Sequence, residues 1–232
     1  MEGAGAEHYN IMLDAIRRWL SWGNSMPSWP ELAAWARAHG WSLKRTIAHD
    51  GWVMDHEPGD PGWRIEWGPA QRGFMSSHEL RIRLQTPRLP EDLQALVLDR
   101  PLLARLDREV YQQITDGVQT RLDEETPEEM RWLAMHTKLS PNQMGVPLRD
   151  RYGGLCSEPE WLSAWLAGPV AEALKRRADA MPVEAVSAEP FALRLARGQM
   201  VLRQAAPVLA MRTFTACVEV ARAVDATLGA PR

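Results

Sequence analysis

Three places pair imidazole with carboxylate: His49-Asp50, Asp55-His56-Glu57 and His78-Glu79. A metal centre or an acid–base pair needs such groups to converge within a few ångströms. The backbone that carries them limits this. In an alternating segment His56 shares its side with Trp52 and Met54, while Asp55 and Glu57 point away; His78 and Glu79 likewise face oppositely. None of the three matches a helical His-Glu-x-x-His spacing. The pattern predicts structural or surface histidines. No metal and no cofactor is expected, and His56 and His78 stay only as candidate binding contacts.

Nucleophile signals are equally thin. Ser21, Ser25, Ser76 and Ser77 lie in no Gly-x-Ser-x-Gly context. Cys156, after Gly153-Gly154-Leu155, is the only thiol in a suggestive setting, and no histidine can be named as its base. Cys217 falls in a helical pattern and reads as a small buried hydrophobe. The two cysteines form neither a disulfide framework nor a zinc set. The run Arg149-Asp150-Arg151-Tyr152-Gly153-Gly154 lacks the strand–loop–helix setting and Lys-Ser/Thr ending of a phosphate-binding loop. No catalytic residue is assigned.

The best functional suspect is the loop Gly68-Pro69-Ala70-Gln71-Arg72-Gly73-Phe74, which joins two strongly alternating segments. Arg72 has the chemistry to clamp an anion, with Gln71 beside it, and Phe74 has the surface to pack on a partner. The competing reading is an ordinary strand connection whose Phe74 tucks into the core.

The elements around these residues follow from periodicity. Apolar positions between Glu7 and Trp22 recur at helical spacing. Ser28-Trp29-Pro30-Glu31 has the form of a capping box opening a helix that ends at Gly40. Trp29 and Trp35 are six apart on it, so one of them is expected to be exposed. Four short alternating segments follow between Trp41 and Gln85, separated by His49-Asp50-Gly51, Pro58 to Gly62, and Gly68 to Ser77. The third sets Trp63, Ile65 and Trp67 against Arg64 and Glu66; the fourth sets Leu80, Ile82 and Leu84 against Glu79, Arg81 and Arg83. Such period-two alternation predicts half-buried antiparallel strands in a meander. From Glu91 to about residue 180 the pattern reads as helical, with starts at Thr126-Pro127, Ser140-Pro141 and Ser157-Glu158-Pro159. Phe191 to Arg203 alternates again as a hairpin around Arg197-Gly198, and a last helix follows Pro207.

A lone hairpin is rarely stable, so residues 191–203 are expected to join the meander's edge. The fold class is then α+β, an antiparallel sheet covered by N- and C-terminal helices with a helical insertion at about 91–180. One domain over 1–232 is expected; the alternative divides a sheet domain, 1–86, from a mainly helical one, 87–232. One sheet face would carry Lys44, Arg64, Arg81, Arg83, Arg194 and Arg203 among Asp55, Glu57, Glu66 and Glu79, a solvated face of cross-strand ion pairs. The tryptophans on the other face are expected to be core.

Composition narrows the function classes. A formal net charge of -3, with 45% hydrophobic and 25% charged residues, is that of a globular chain and argues against nucleic acid as a partner. Only three lysines stand against 24 arginines, a bias that a GC-rich genome explains. No signal peptide and no bilayer-length apolar run is evident, so a cytoplasmic setting is expected. The order of elements is similar, in topology and without a shared motif, to that of bacterial secretion chaperones and related small adaptors. A non-enzymatic protein-binding or adaptor-like module is therefore expected, with a protein partner and a homodimer as a further option. The alternatives are a metal-assisted hydrolase or a small anionic-ligand binder using His49, Asp50, His56, His78 and the 68–74 loop.

Overall fold

The computed structural model describes residues 27–56, 62–116, 126–181 and 189–229. The helical pattern between Glu7 and Trp22, and Glu57 with the break at 58–61, lie outside them. The first part of the described chain runs α1 (Trp29–Ala38), β1 (Trp41–Arg45), β2 (Trp52–His56), β3 (Trp63–Pro69), β4 (His78–Gln85), β5 (Ala95–Asp99) and α2 (Arg100–Asp116). Then come α3 (Glu128–Met135), β6 (Thr137–Lys138), α4 (Pro141–Met144), β7 (Tyr152–Cys156), α5 (Pro159–Trp165) and α6 (Pro169–Ala180). The hairpin β8 (Phe191–Ala196) and β9 (Gln199–Ala205) and the helix α7 (Met211–Leu228) close it. Among the described residues no helix is long and apolar enough to cross a membrane.

The strands form one nine-stranded antiparallel sheet in the order β1-β2-β3-β4-β9-β8-β5-β7-β6. The meander is β1 to β4, and the late hairpin joins it by pairing β9 with β4. Strands from both sides of residue 86 thus share the sheet. Register shows how the two faces arise. One row of paired residues, Leu43-Met54-Ile65-Ile82-Leu202-Leu193-Val97-Gly154, crosses eight strands and is apolar throughout. It belongs to the face covered by α1, α6 and α7, whose Leu32, Leu174 and Phe214 share its core.

The adjacent row points the other way and changes character along its length. It reads Lys44-Val53-Glu66-Arg81-Arg203 and then Ala192-Leu98-Gly153. Over its small and apolar end lie α2 and α3, with Leu106, Met130 and Trp132 in a second core. Its charged end is the ion-pair layer the alternation predicts, with one correction. Glu66, Glu79, Arg81 and Arg203 are buried rather than solvated, and the β3–β4 loop closes over Glu79 and Arg81 through the Gln71 backbone N–H and the Pro69 carbonyl. Arg81 donates to Glu79 at 2.8 Å and to Glu66 at 3.1 Å, and Arg203 also donates to Glu79. Burial works to raise the Glu66 carboxyl, but the guanidiniums of Arg64, Arg81 and Arg83 hold it below the ordinary range.

The stretch at 91–180 supplies five helices and also three strands that complete the sheet. β5 reads Ala95-Leu-Val-Leu-Asp99 and is buried along its whole length. A strand covered on both faces loses the alternation that marks a half-buried one, so its run resembles a helix segment. β7 contains Gly153 and Gly154, which look like a loop. Both sit at close approaches: a Cβ at Gly153 would stand 2.3 Å from Leu103 of α2, and one at Gly154 would stand 3.2 Å from Leu162 and Met144. Helix starts fared unevenly. Ser28 and Ser140 form capping boxes, whereas Thr126 and Ser157 do not cap: α3 begins behind Pro127 and α5 behind Glu158.

Candidate functional site

One end of the apolar face departs from plain core. The row Arg45-Trp52-Trp67-Leu80 sits there, and His78, two residues before Leu80, shares its face. The start of α1 lies over it, and the β1–β2 turn closes one side. These elements enclose a cleft of about 380 Å³ lined by Pro27, Trp29, Leu32, Arg45, His49, Asp50, Gly51, Trp52, Trp67 and His78. That volume is in the range of small-molecule sites.

The turn wall has a specific geometry. Thr46 donates from its hydroxyl to Asp50 Oδ1 at 2.9 Å, and its amide donates to the Gly51 carbonyl at 3.1 Å. The left-handed residue is His49, with φ of 57°, and not Asp50 or Gly51 as the Asp-Gly pair suggests. Gly51 serves contact instead. A Cβ there would lie 2.2 Å from the Trp67 carbonyl oxygen, so only glycine lets the turn sit against β3.

Aromatic rings hold the polar groups of the cleft. The Arg45 guanidinium lies 4.2 Å from the Trp29 ring centroid and forms no ion pair among the described residues. His78 is stacked on Trp67 at 4.7 Å and 24°. The Trp67 indole N–H donates to the Ala206 carbonyl at 2.9 Å. Trp52 is only 3% exposed, and its indole N–H is buried with no partner. A stacked guanidinium keeps its in-plane N–H edges free. The cleft therefore sets aromatic rings, two imidazoles and the Asp50 carboxylate around one guanidinium whose N–H edges no acceptor among the described residues takes.

The sequence-selected residues fall into three places. His78, His49 and Asp50 line this cleft. His56 does not, because it ends β2 opposite Trp41, its ring 5.0 Å from that indole. Gln71, Arg72 and Phe74 belong to the loop over the opposite face. There the Gln71 amide donates to Glu79 at 3.1 Å, and Arg72 Nε donates to Glu129 at 3.1 and 3.3 Å. Phe74 is 7% exposed within the second core, and Arg105 donates to its carbonyl at 2.6 Å. The loop is pinned at three points.

Sequence reading missed two features. Arg45 with Trp29 is one, since neither residue signals the other. The second is Arg177, fully enclosed between sheet and helices. It donates to Gln204 Oε1 at 3.1 Å and to the Tyr152 hydroxyl at 2.9 Å, and lies 3.9 Å over the Phe191 ring. Its signal was legible: Val170, Leu174, Arg177 and Ala178 form one helical stripe, so the arginine faces the core.

Among the described residues no three His, Cys, Asp or Glu side chains come together to hold a metal ion. Burial pushes the Cys156 thiol up and the Cys217 thiol up to about 11, so neither is a ready thiolate. No protein-family model, no curated protein and no solved structure matches the chain.

Proposed function

We propose that this chain is a non-catalytic binding protein whose ligand is a small organic molecule held in the cleft between α1 and the β1–β4 end of the sheet. One observation carries this. The cleft of about 380 Å³ sets the Arg45 guanidinium, stacked on Trp29 at 4.2 Å and without an ion pair among the described residues, beside the indoles of Trp52 and Trp67. Burial leaves the Cys156 and Cys217 thiols poor nucleophiles, and among the described residues no three His, Cys, Asp or Glu side chains gather to hold a metal ion. A cytoplasmic setting fits the two free cysteines, Cys156 and Cys217.

The test is titration with 8-anilinonaphthalene-1-sulfonate, read by energy transfer from tryptophan, on the parent chain and on Asp50→Trp. Asp50 is exposed at the cleft wall, so the larger side chain fills the cleft without touching the core. Saturable binding to the parent that drops at least tenfold in the variant supports the reading. Equal binding to both contradicts it.

A protein-binding adaptor is the second reading, favoured by a different surface. Tyr111 and Met135 are 70% and 71% exposed beside a groove of about 510 Å³ between α2 and α3. Exposed apolar side chains around a groove mark interaction surfaces. Light scattering of the parent and of Tyr111→Arg checks it. A dimer or captured complex that Tyr111→Arg abolishes would favour this reading; a monomer that captures no protein would count against it.

A further inference from the structure

We infer that the outer edge of β1 takes an extended segment of another protein, alternating acidic and apolar residues, as a tenth strand of the sheet. This goes beyond the small-molecule reading and stands without it. The sheet ends on β1 at one side and on β6 at the other. β6 is two residues long, too short to template a strand. β1 spans Trp41–Arg45 and pairs with β2 in one unbroken register, with neither a proline nor a bulge to blunt its edge. The Thr46 amide donates to the Gly51 carbonyl at 3.1 Å. Counting back from that pair, Lys44 and Ser42 turn their backbone groups to β2, while Arg45, Leu43 and Trp41 turn theirs outward. Among the described residues nothing pairs with those three N–H and three C=O groups. Such a row is what an added strand bonds to.

The side chains set the chemistry of the guest. β1 reads Trp-Ser-Leu-Lys-Arg and carries no carboxylate. The Lys44 side chain is 69% exposed, and its one ion pair, with Asp55, is long at 3.7 Å and shares that carboxylate with Arg64. An added strand sets alternate side chains beside Ser42 and Lys44 on one face and beside Leu43 on the other. The first set meets the ammonium and is best met by carboxylates. The second meets Leu43, which packs half-buried against the core, and favours apolar residues. Ile47, 99% exposed just past the strand, extends that apolar contact. Charge also decides against a second copy. Two β1 strands paired antiparallel about Leu43 would bring both Lys44 side chains to one face as diagonal neighbours, with no carboxylate on either strand to separate them.

The experiment titrates the full chain into three labelled peptides by fluorescence anisotropy: Glu-Val-Glu-Val-Glu-Val-Glu, its copy with Lys for every Glu, and its copy methylated at the valine backbone nitrogens, which removes the N–H groups that face β1. The Glu peptide is expected to bind at least tenfold more tightly than either copy, and Lys44→Glu to weaken it at least fivefold. Amide hydrogen exchange gives the second readout: Leu43 and Arg45 exchange fast in the chain alone, unlike Lys44 and Thr46, and the Glu peptide protects them. No binding of the Glu peptide, or equal binding of either copy, overturns the inference. So does protection of the Leu43 and Arg45 amides in the chain alone, since the edge is then already taken, by a second copy if light scattering shows a dimer and by the chain itself if it shows a monomer. Anilinonaphthalenesulfonate binding reads the cleft separately, so either reading can fail without the other.

Discussion

Gly51 presses against the carbonyl of Trp67 so closely that a Cβ on Gly51 would stand 2.2 Å from the Trp67 oxygen. This contact joins fold to site, since it sets the β1–β2 turn as the wall of the aromatic cleft. Gly51→Ala is expected to push that turn outward and to cost about 1–3 kcal/mol, as overpacking does. Affinity for anilinonaphthalenesulfonate should fall with it. Urea denaturation and probe titration on the same variant check both; unchanged values for both would separate the turn from the cleft.

Arg72 and Glu129 pin the β3–β4 loop to α3. Glu129 is buried, and among the described residues Arg72 is the one side chain that hydrogen-bonds to it, with Arg203 close enough to add a coulombic pull. Arg72→Ala leaves that carboxylate buried without its hydrogen-bond donor, which should destabilise the chain by roughly 2–4 kcal/mol. Adding Glu129→Leu should recover most of the loss, because both charges are then gone. A double-mutant cycle in urea measures the coupling; additive losses would mean that the pair does not hold the loop.

Glu189 should give stability a pH dependence of known sign. Burial raises its carboxyl from 4.5 to about 7, against the opposing pull of Arg177 and Arg212. Its folded value lies above its unfolded one, so its contribution is fully present below pH 4.5 and is lost as pH rises to about 7. Glu189→Gln should therefore be more stable than the parent at pH 8, by on the order of 2 kcal/mol, and equal to it at pH 4. Melting curves across that range decide; parallel curves would contradict the assignment.

Gly153 lets α2 lie against β7, with Leu103 where a Cβ would be. Leu103 is a flexible neighbour, so Gly153→Ala should cost about 1–2 kcal/mol and Gly153→Val more. Thermal denaturation of the pair tests the order. A neutral valine would show that α2 does not pack there.

The same residues explain what was legible beforehand. Trp63, Ile65 and Trp67 announced a strand because Arg64 and Glu66 alternate with them, charges that the opposite face keeps by ion pairing with Asp55, Arg81 and Arg83. Leu96 and Leu98 face α2 while Ala95 and Val97 face the other core, so no alternation remained to read. The 68–74 loop looked free because Glu129, which takes Arg72, lies 57 residues away in sequence. The cleft was invisible for a related reason. Trp52 and Trp67 have the spacing of core residues, and only the fold brings Arg45 and Trp29 beside them.

The cleft is most directly tested by the indole N–H resonances of the isotopically labelled chain, with Trp52 assigned through Trp52→Phe. On adding anilinonaphthalenesulfonate, the signals of Trp29, Trp52 and Trp67 should shift together and saturably, while those of Trp132, Trp161 and Trp165 stay in place. Shifts confined to Trp132, beside the α2–α3 groove, or no shift at Trp52, would contradict a ligand in this cleft.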